Sequence, residues 1–117
     1  MTEFEQEVES RLTNVPNEKK LIEAAAAFIL ESTPPKYSYN FSWLGRPIIQ
    51  YPQDMVAVQE IIWKVKPDLI IETGIAHGGS LILSAAMLAQ LDLEDAIKEG
   101  KTIDPSKSNR KVLAVDI

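Results

Sequence analysis

The sequence predicts an α/β fold organised around one β-α-β unit with parallel strands. Residues 68–73, DLIIET, form a short and continuously apolar run, which is typical of strands in parallel sheets that are buried on both faces. A glycine-rich turn follows, and residues 80–91 then return to helical spacing. Residues 111–117, KVLAVDI, predict a second strand. Because a helix separates the two strands, we expect them to pair in parallel, with a right-handed crossover.

Helical segments precede this unit. Residues 17–33 predict an amphipathic helix that begins at Asn17, a residue type that caps helices. The acidic residues ahead of Arg11 predict a solvated, frayed N-terminus. Residues 52–66 repeat apolar side chains at helical spacing, and Pro67 ends that pattern.

Two segments are less regular. Residues 33–52 hold four of the seven prolines, and we expect an irregular arm or lid that packs across the domain. Residues 92–110 are polar and predict a short helix followed by an exposed loop. The resulting division is an N-terminal helix and proline/aromatic arm over residues 1–51, and the β-α-β part over residues 52–117.

Composition excludes several classes of function. The chain has 117 residues, a net charge of −5 and no cysteine. An acidic chain is poorly suited to nucleic acid, and the lack of cysteine excludes disulfides and thiolate metal sites. No apolar run approaches the roughly 20 residues that span a bilayer, and no signal peptide is visible. We therefore expect a cytoplasmic protein with no nucleic-acid or membrane partner.

The turn ETGIAHGGS, residues 72–80, is the strongest candidate site. Ligands of α/β sheets bind where strands end and helices begin, and glycines there allow close approach to the backbone. Gly74, Gly78 and Gly79 supply that property, and we expect Ser80 to cap the following helix. A plain strand–helix turn needs only one or two glycines, so the pattern favours a ligand loop.

The residues around the turn limit which class of ligand it could bind. A dinucleotide fingerprint has glycine where this chain has Ala76, and Asp92, at the expected acid distance, lies in a polar stretch. The lysine of a Walker phosphate-binding loop does not follow the turn either, so a phosphate-binding loop has little support. Glu72, at the tip of one predicted strand, is placed to accept hydrogen bonds from a cationic ligand or from the backbone of the loop. Asp116, at the tip of the other, is placed to accept from the two hydroxyls of a ribose. Two acids around a glycine turn favour a positively charged nucleoside, and S-adenosylmethionine is one.

The same residues resemble a known family. ETGIAHGGS is similar to the first motif of class I methyltransferases, in the branch with catechol O-methyltransferase-like enzymes. With the preceding YNFSWLGRPIIQYPQDMVAVQEIIWKVKPDLII, the chain resembles the cephalosporin hydroxylase family, which has a Rossmann-like S-adenosylmethionine-dependent methyltransferase fold. The resemblance is close over residues 37–91 and extends by motif to residues 111–117.

The resemblance implies roles for individual residues. The arm around residues 39–50 would cover the cofactor or substrate pocket, and Asp116 would hold the cofactor's ribose. Divalent metal such as Mg²⁺ in metal-dependent members is held by later strands, so no metal ligand is expected here. The residues implied around the methionine part of the cofactor are Glu72, Gly74, Ala76, His77, Gly78, Gly79 and Ser80.

These expectations describe part of an enzyme. We expect the chain to be an N-terminal fragment that is inactive alone, while the complete protein transfers a methyl group to an oxygen of a small molecule or sugar. Open strand edges and apolar faces would favour a homo-oligomer. A non-catalytic self-associating module with a relic motif and, more weakly, an NAD-dependent oxidoreductase remain as alternatives. Two side chains have open roles: His77 as cofactor lining or base, and Arg46 as a carboxylate contact or an exposed arginine.

Overall fold

The computed structural model describes the whole chain, Met1–Ile117, as two compact units, Met1–Tyr37 and Ser38–Ile117. The first contains helices α1 (Glu3–Asn14) and α2 (Lys19–Ser32), joined by a 3₁₀ turn. The second contains β1 (Phe41–Trp43), β2 (Arg46–Ile48), α3 (Pro52–Val65), β3 (Leu69–Thr73), α4 (Gly79–Glu99) and β4 (Lys111–Val115). The predicted order of elements from α2 onward is confirmed. The division at residues 51 and 52 stays a prediction.

The N-terminus is solvent-exposed, as expected, but it is an ordered helix. Thr2 and Glu5 form a capping box, in which the Thr2 side chain accepts from the Glu5 N–H and the Glu5 carboxylate accepts from the Thr2 N–H. The prediction of a frayed start was wrong because this reciprocal cap holds the first turn of α1. Asn17 lies in the 3₁₀ turn and Glu18 is the N-cap of α2, so the predicted Asn17 cap was also wrong.

The expected irregular arm contains a β-hairpin. Strands β1 and β2 pair antiparallel, with Phe41 opposite Ile48 and Trp43 opposite Arg46. Leu44 and Gly45 make the two-residue turn and both have positive φ, 46° and 82°, as tight hairpin turns require. The strands are three residues long, too short for periodicity to predict them. The hairpin packs on α4, and Ile48 is 1% exposed.

The parallel pair is confirmed, and its register places Leu69 opposite Lys111 and Thr73 opposite Val115. One face of this sheet packs on the helices, where Ile70 and Val112 contact a buried cluster. That cluster joins α3 to α4 and consists of Ile62, Leu88 and Leu91.

The opposite face of the sheet is not covered within the chain. Its large apolar side chains are more than half exposed: Leu69 (51%), Ile71 (64%), Leu113 (52%) and Val115 (51%). The prediction that the first strand is buried on both faces was therefore wrong for this chain, because both packing helices lie on one side. The continuous apolar run arises because both faces of the strand carry apolar side chains.

Helix α4 is longer than predicted. It continues through the polar stretch to Glu99 and ends at Gly100, which has a left-handed φ of 63°. The Lys101 N–H donates to the Ala96 carbonyl at 2.9 Å, which completes the C-terminal cap. The loop expected within residues 92–110 therefore begins only after Gly100. No helix of the chain is long and apolar enough to cross a membrane.

An ion-pair cluster fastens this loop to α4 just before β4. Arg110 Nη1 lies 2.5 Å from Asp92 Oδ1, Arg110 Nη2 lies 2.8 Å from Asp95 Oδ2, and the Ser108 hydroxyl donates to Asp92 at 2.6 Å. The Arg110 side chain is only 14% exposed. Burial raises the pKa of Asp92, but the hydrogen bonds from Ser108 and Arg110 and the Arg110 charge outweigh it, so the pKa lies below its usual value. The cluster thereby fixes the start of β4, the strand that precedes Asp116.

Replacing Arg110 with glutamine is expected to lower the free energy of unfolding by about 1–3 kcal/mol at pH 7, because two carboxylates lose their partner. A depressed carboxyl pKa contributes stability that is present above the unfolded value, about pH 4, and is lost as pH falls through the folded value. The difference between the variant and the wild type should therefore shrink below pH 4. Urea unfolding of both proteins at pH 7, 5 and 3 measures this difference in unfolding free energy. A constant difference across that range would contradict the ion-pair account.

Candidate functional site

A cavity of about 450 Å³ opens at the carboxyl end of β3, within the size range of small-molecule sites. Its walls come from β3, the glycine turn, the start of α4, the first turn of α3 and the end of the hairpin. Six of the predicted site residues line it: Glu72, Gly74, Ala76, His77, Gly79 and Ser80. Gly78 and Asp116 do not line this cavity. The sheet edge predicted to hold a ligand therefore has a concave surface.

Glu72 and Ser80 connect the end of β3 to the first turn of α4. The Ser80 hydroxyl donates to Oε1 of Glu72. The expected helix cap by Ser80 was wrong, because Gly78 is the N-cap and no side chain caps this end. Ser80 instead orients the carboxylate, and Oε2 of Glu72 keeps its capacity to accept from a ligand.

The backbone of the turn adopts left-handed conformations at three positions. Gly74, Ala76 and Gly78 have φ values of 82°, 46° and 84°. The Gly74 N–H donates to the Val115 carbonyl at 2.8 Å, and the Gly78 N–H donates to the Ile75 carbonyl at 2.8 Å. A side chain added at Gly74 would meet no atom within 4 Å, so its Cα faces open space that a ligand can use.

Asp116 lies on the other side of Gly74, just beyond β4. Its Oδ2 accepts from the Ile75 N–H at 2.8 Å and its Oδ1 accepts from the Ile117 N–H at 2.7 Å. These backbone hydrogen bonds, the one from Ile75 foremost, hold the pKa of Asp116 below its usual value. Asp116 and Gly74 both line a second, shallower recess. Each carboxylate oxygen retains a further lone pair for a ligand hydroxyl.

The remaining glycines of the turn contact the hairpin. A side chain at Gly79 would lie 2.6 Å from Ile48 Cβ and closer still to the Pro47 carbonyl oxygen, so only glycine fits there. A side chain at Gly78 would lie 3.6 Å from Arg46 Cδ and 3.8 Å from its Nη1. Gly79 thus holds the hairpin against the turn, a role that the sequence pattern did not indicate.

Sequence reasoning missed one acid of the site. Asp54 lies in the first turn of α3, where acids commonly stabilise a helix start, and it also lines the cavity with Glu72. No local signal distinguishes the two roles. No group of three or more histidine, aspartate or glutamate side chains is arranged to hold a metal ion, so the divalent metal implied by the resemblance does not fit these residues.

Comparison with known proteins decides the family. A family model, rhamnosyl O-methyltransferase/CmcI, matches residues 35–117, most of the chain. The chain belongs to this family. The match confirms the resemblance at the level of the family and agrees with the α/β fold, whose parallel pair is compatible with the N-terminal part of a Rossmann-like methyltransferase. No curated protein and no solved structure matches the chain.

Membership of a methyltransferase family implies S-adenosylmethionine as cofactor, and the site residues fit that group. The open space at Gly74 allows close approach to the backbone, and the Glu72 carboxylate suits a positively charged ligand. Asp116, with spare lone pairs on the far side of Gly74, suits vicinal hydroxyls. These features leave room for an amino-acid end and a ribose on either side of one glycine.

Proposed function

We propose that this chain forms the cofactor-binding side of an S-adenosylmethionine-dependent O-methyltransferase, with a small molecule or sugar as methyl acceptor. The observation that carries the proposal is the placement of Gly74 between a cavity containing Glu72 and a recess containing Asp116. Family membership supports methyl transfer to oxygen. The remaining parts of the active site, including any metal ligands, belong outside these residues.

Each residue of the proposed site has a definite task. Bound S-adenosylmethionine supplies an electrophilic methyl group on a sulfonium sulfur. Glu72, oriented by Ser80, accepts hydrogen bonds from the ligand's ammonium group. Asp116 stays ionised because backbone N–H groups lower its pKa, and it accepts from the two ribose hydroxyls. Gly74, which has no side chain, leaves the space between them free for the cofactor, and His77 and Ala76 line the methionine part.

Calorimetric titration tests this proposal. S-adenosylhomocysteine and NAD are titrated into the 117-residue chain and into a longer form that includes any downstream sequence. Binding of S-adenosylhomocysteine, with none of NAD, supports the proposal, and binding by the longer form alone means that residues outside this chain complete the pocket. Binding by neither form supports the relic module, and preference for NAD supports the oxidoreductase. The chain alone is expected to show no methyl transfer.

A second copy of the chain is the partner we propose for the exposed sheet face. The face is mainly apolar: Leu69, Ile71, Leu113 and Val115 lie on it, with Lys111 and Thr73 at its two ends. Continuously apolar strands of this kind are usually buried on both sides in parallel sheets. Its burial by another copy removes this apolar area from water. The proposed setting is the cytoplasm, without nucleic-acid or membrane partners.

Light scattering at micromolar concentration is expected to show a dimer or larger assembly. Leu113→Glu places a charge in the exposed face, where the side chain is half exposed, and is expected to shift the chain toward monomer without unfolding it. Gln53→Glu, in the exposed first turn of α3 and away from this sheet face, serves as the control and should leave the assembly unchanged. A wild-type monomer over the whole concentration range would contradict the proposal.

A further inference from the structure

Arg46 stands beside the proposed cofactor site without any assigned role. It ends the hairpin turn as the first residue of β2, and its guanidinium lies against Gly78, between two residues that line the cavity, His77 and Gly79. The hairpin is fixed in this position because Gly79 allows close contact with Pro47 and Ile48. The packed hairpin therefore places Arg46 at the rim of the cavity.

The charge of the site is unbalanced without Arg46. The cavity is lined by two acids, Asp54 and Glu72, and by no lysine or arginine. Arg46 takes part in none of the ion pairs of the chain. A ligand with both an ammonium and a carboxylate group can place the first near the acids and needs a cation for the second.

We propose that Arg46 is a specificity-determining residue that binds the α-carboxylate of the cofactor's amino-acid end. This inference rests on the proposed function. A guanidinium presents paired N–H donors that match the two oxygens of a carboxylate. Glu72 and Arg46 then recognise opposite charges of one amino-acid group, and the site discriminates a complete cofactor from a nucleoside that lacks this group.

The test compares two ligands on matched variants by calorimetry. S-adenosylhomocysteine carries the amino-acid end, whereas 5′-methylthioadenosine has the nucleoside and the sulfur without it. Arg46→Gln is expected to weaken S-adenosylhomocysteine about tenfold, the loss typical of one charge-assisted contact, and to leave 5′-methylthioadenosine unchanged. Lys111→Gln removes the same charge at the far end of the sheet and should change neither. Thermal unfolding checks that both variants fold.

The outcomes separate this inference from the proposed function. Unchanged affinity of Arg46→Gln for S-adenosylhomocysteine, or an equal loss for both ligands, overturns the role of Arg46 and leaves the cofactor site standing. Failure of the wild-type chain and of its longer form to bind either ligand overturns both proposals. Arg46→Lys, which keeps the charge and loses the paired geometry, should recover part of the discrimination and thereby identifies the carboxylate contact.

Discussion

Replacing Gly79 with alanine is expected to destabilise the second unit by about 3 kcal/mol, the upper end of the usual range for overpacking. Gly79 is in the first turn of α4, where alanine normally favours the helix by up to about 1 kcal/mol. The added methyl group would lie 2.6 Å from Ile48 Cβ and 2.7 Å from its Cα, so backbone must move. The steric clash therefore outweighs the gain in helix propensity, and the net effect on stability is unfavourable. Urea unfolding followed by circular dichroism measures the change.

Gly100→Ala is the matched control for this variant. Gly100 ends the same helix, has a φ of 63° and has no atom within 4 Å of an added side chain. Alanine there incurs only the strain of a left-handed conformation, about 1 kcal/mol. If Gly79→Ala were no more destabilising than Gly100→Ala, the hairpin would not be packed on the turn as the structure shows.

Replacing Gly74 with alanine is expected to weaken binding of S-adenosylhomocysteine at least tenfold. The methyl group would project into the open space between the Glu72 cavity and Asp116, where the proposed cofactor passes close to the backbone. Stability should fall only by the backbone strain, about 1 kcal/mol. Calorimetric titration and urea unfolding on the same preparation separate the two effects.

Gly45→Ala provides a close control for Gly74→Ala. Both glycines have a φ of 82° and neither would bring an added side chain within 4 Å of another atom. Gly45 lies in the hairpin turn, away from the cavity lining. The two variants should lose similar stability, and only Gly74→Ala should lose affinity. Equal affinity of both variants would show that the ligand does not approach Gly74.

The parts of the fold that sequence predicted well have strong local signals. Helix α3 lies between Pro52, which favours a first helical position, and Pro67, which prevents continuation, so its bounds follow from the chain itself. The apolar run of β3 and the glycines after it predict the strand–turn–helix connection. Fold class follows from these elements because a helical crossover between two strands produces a parallel pair.

Other parts depend on contacts that no short window contains. The hairpin follows from packing of Ile48 against α4, and Gly79 is constrained by residues more than thirty positions earlier. The length of α4 was underestimated because its last turns are polar, although Gly100 offered a C-terminal signal. The capping box of α1 could have been predicted from the sequence, because Thr2 is followed three residues later by Glu5.

In the candidate site, too, some residues could be placed from sequence and others depend on distant contacts. Clustering of Glu72 with the glycine turn follows from their adjacency in sequence. The position of Asp116 follows from the parallel register, which sets Thr73 opposite Val115. Asp54 and Arg46 reach the site only through the packing of α3 and the hairpin. No local sequence pattern indicates that packing.

The central claim is that the cofactor lies across Gly74, between Glu72 and Asp116. Backbone amide resonances of the ¹⁵N-labelled chain, recorded during titration with S-adenosylhomocysteine, test it most directly. The account predicts the largest shifts within residues 72–80 and at residues 116 and 117, with little change at the outer end of the sheet near Lys111. Shifts concentrated elsewhere, with the 72–80 turn unchanged under saturating ligand, would contradict it.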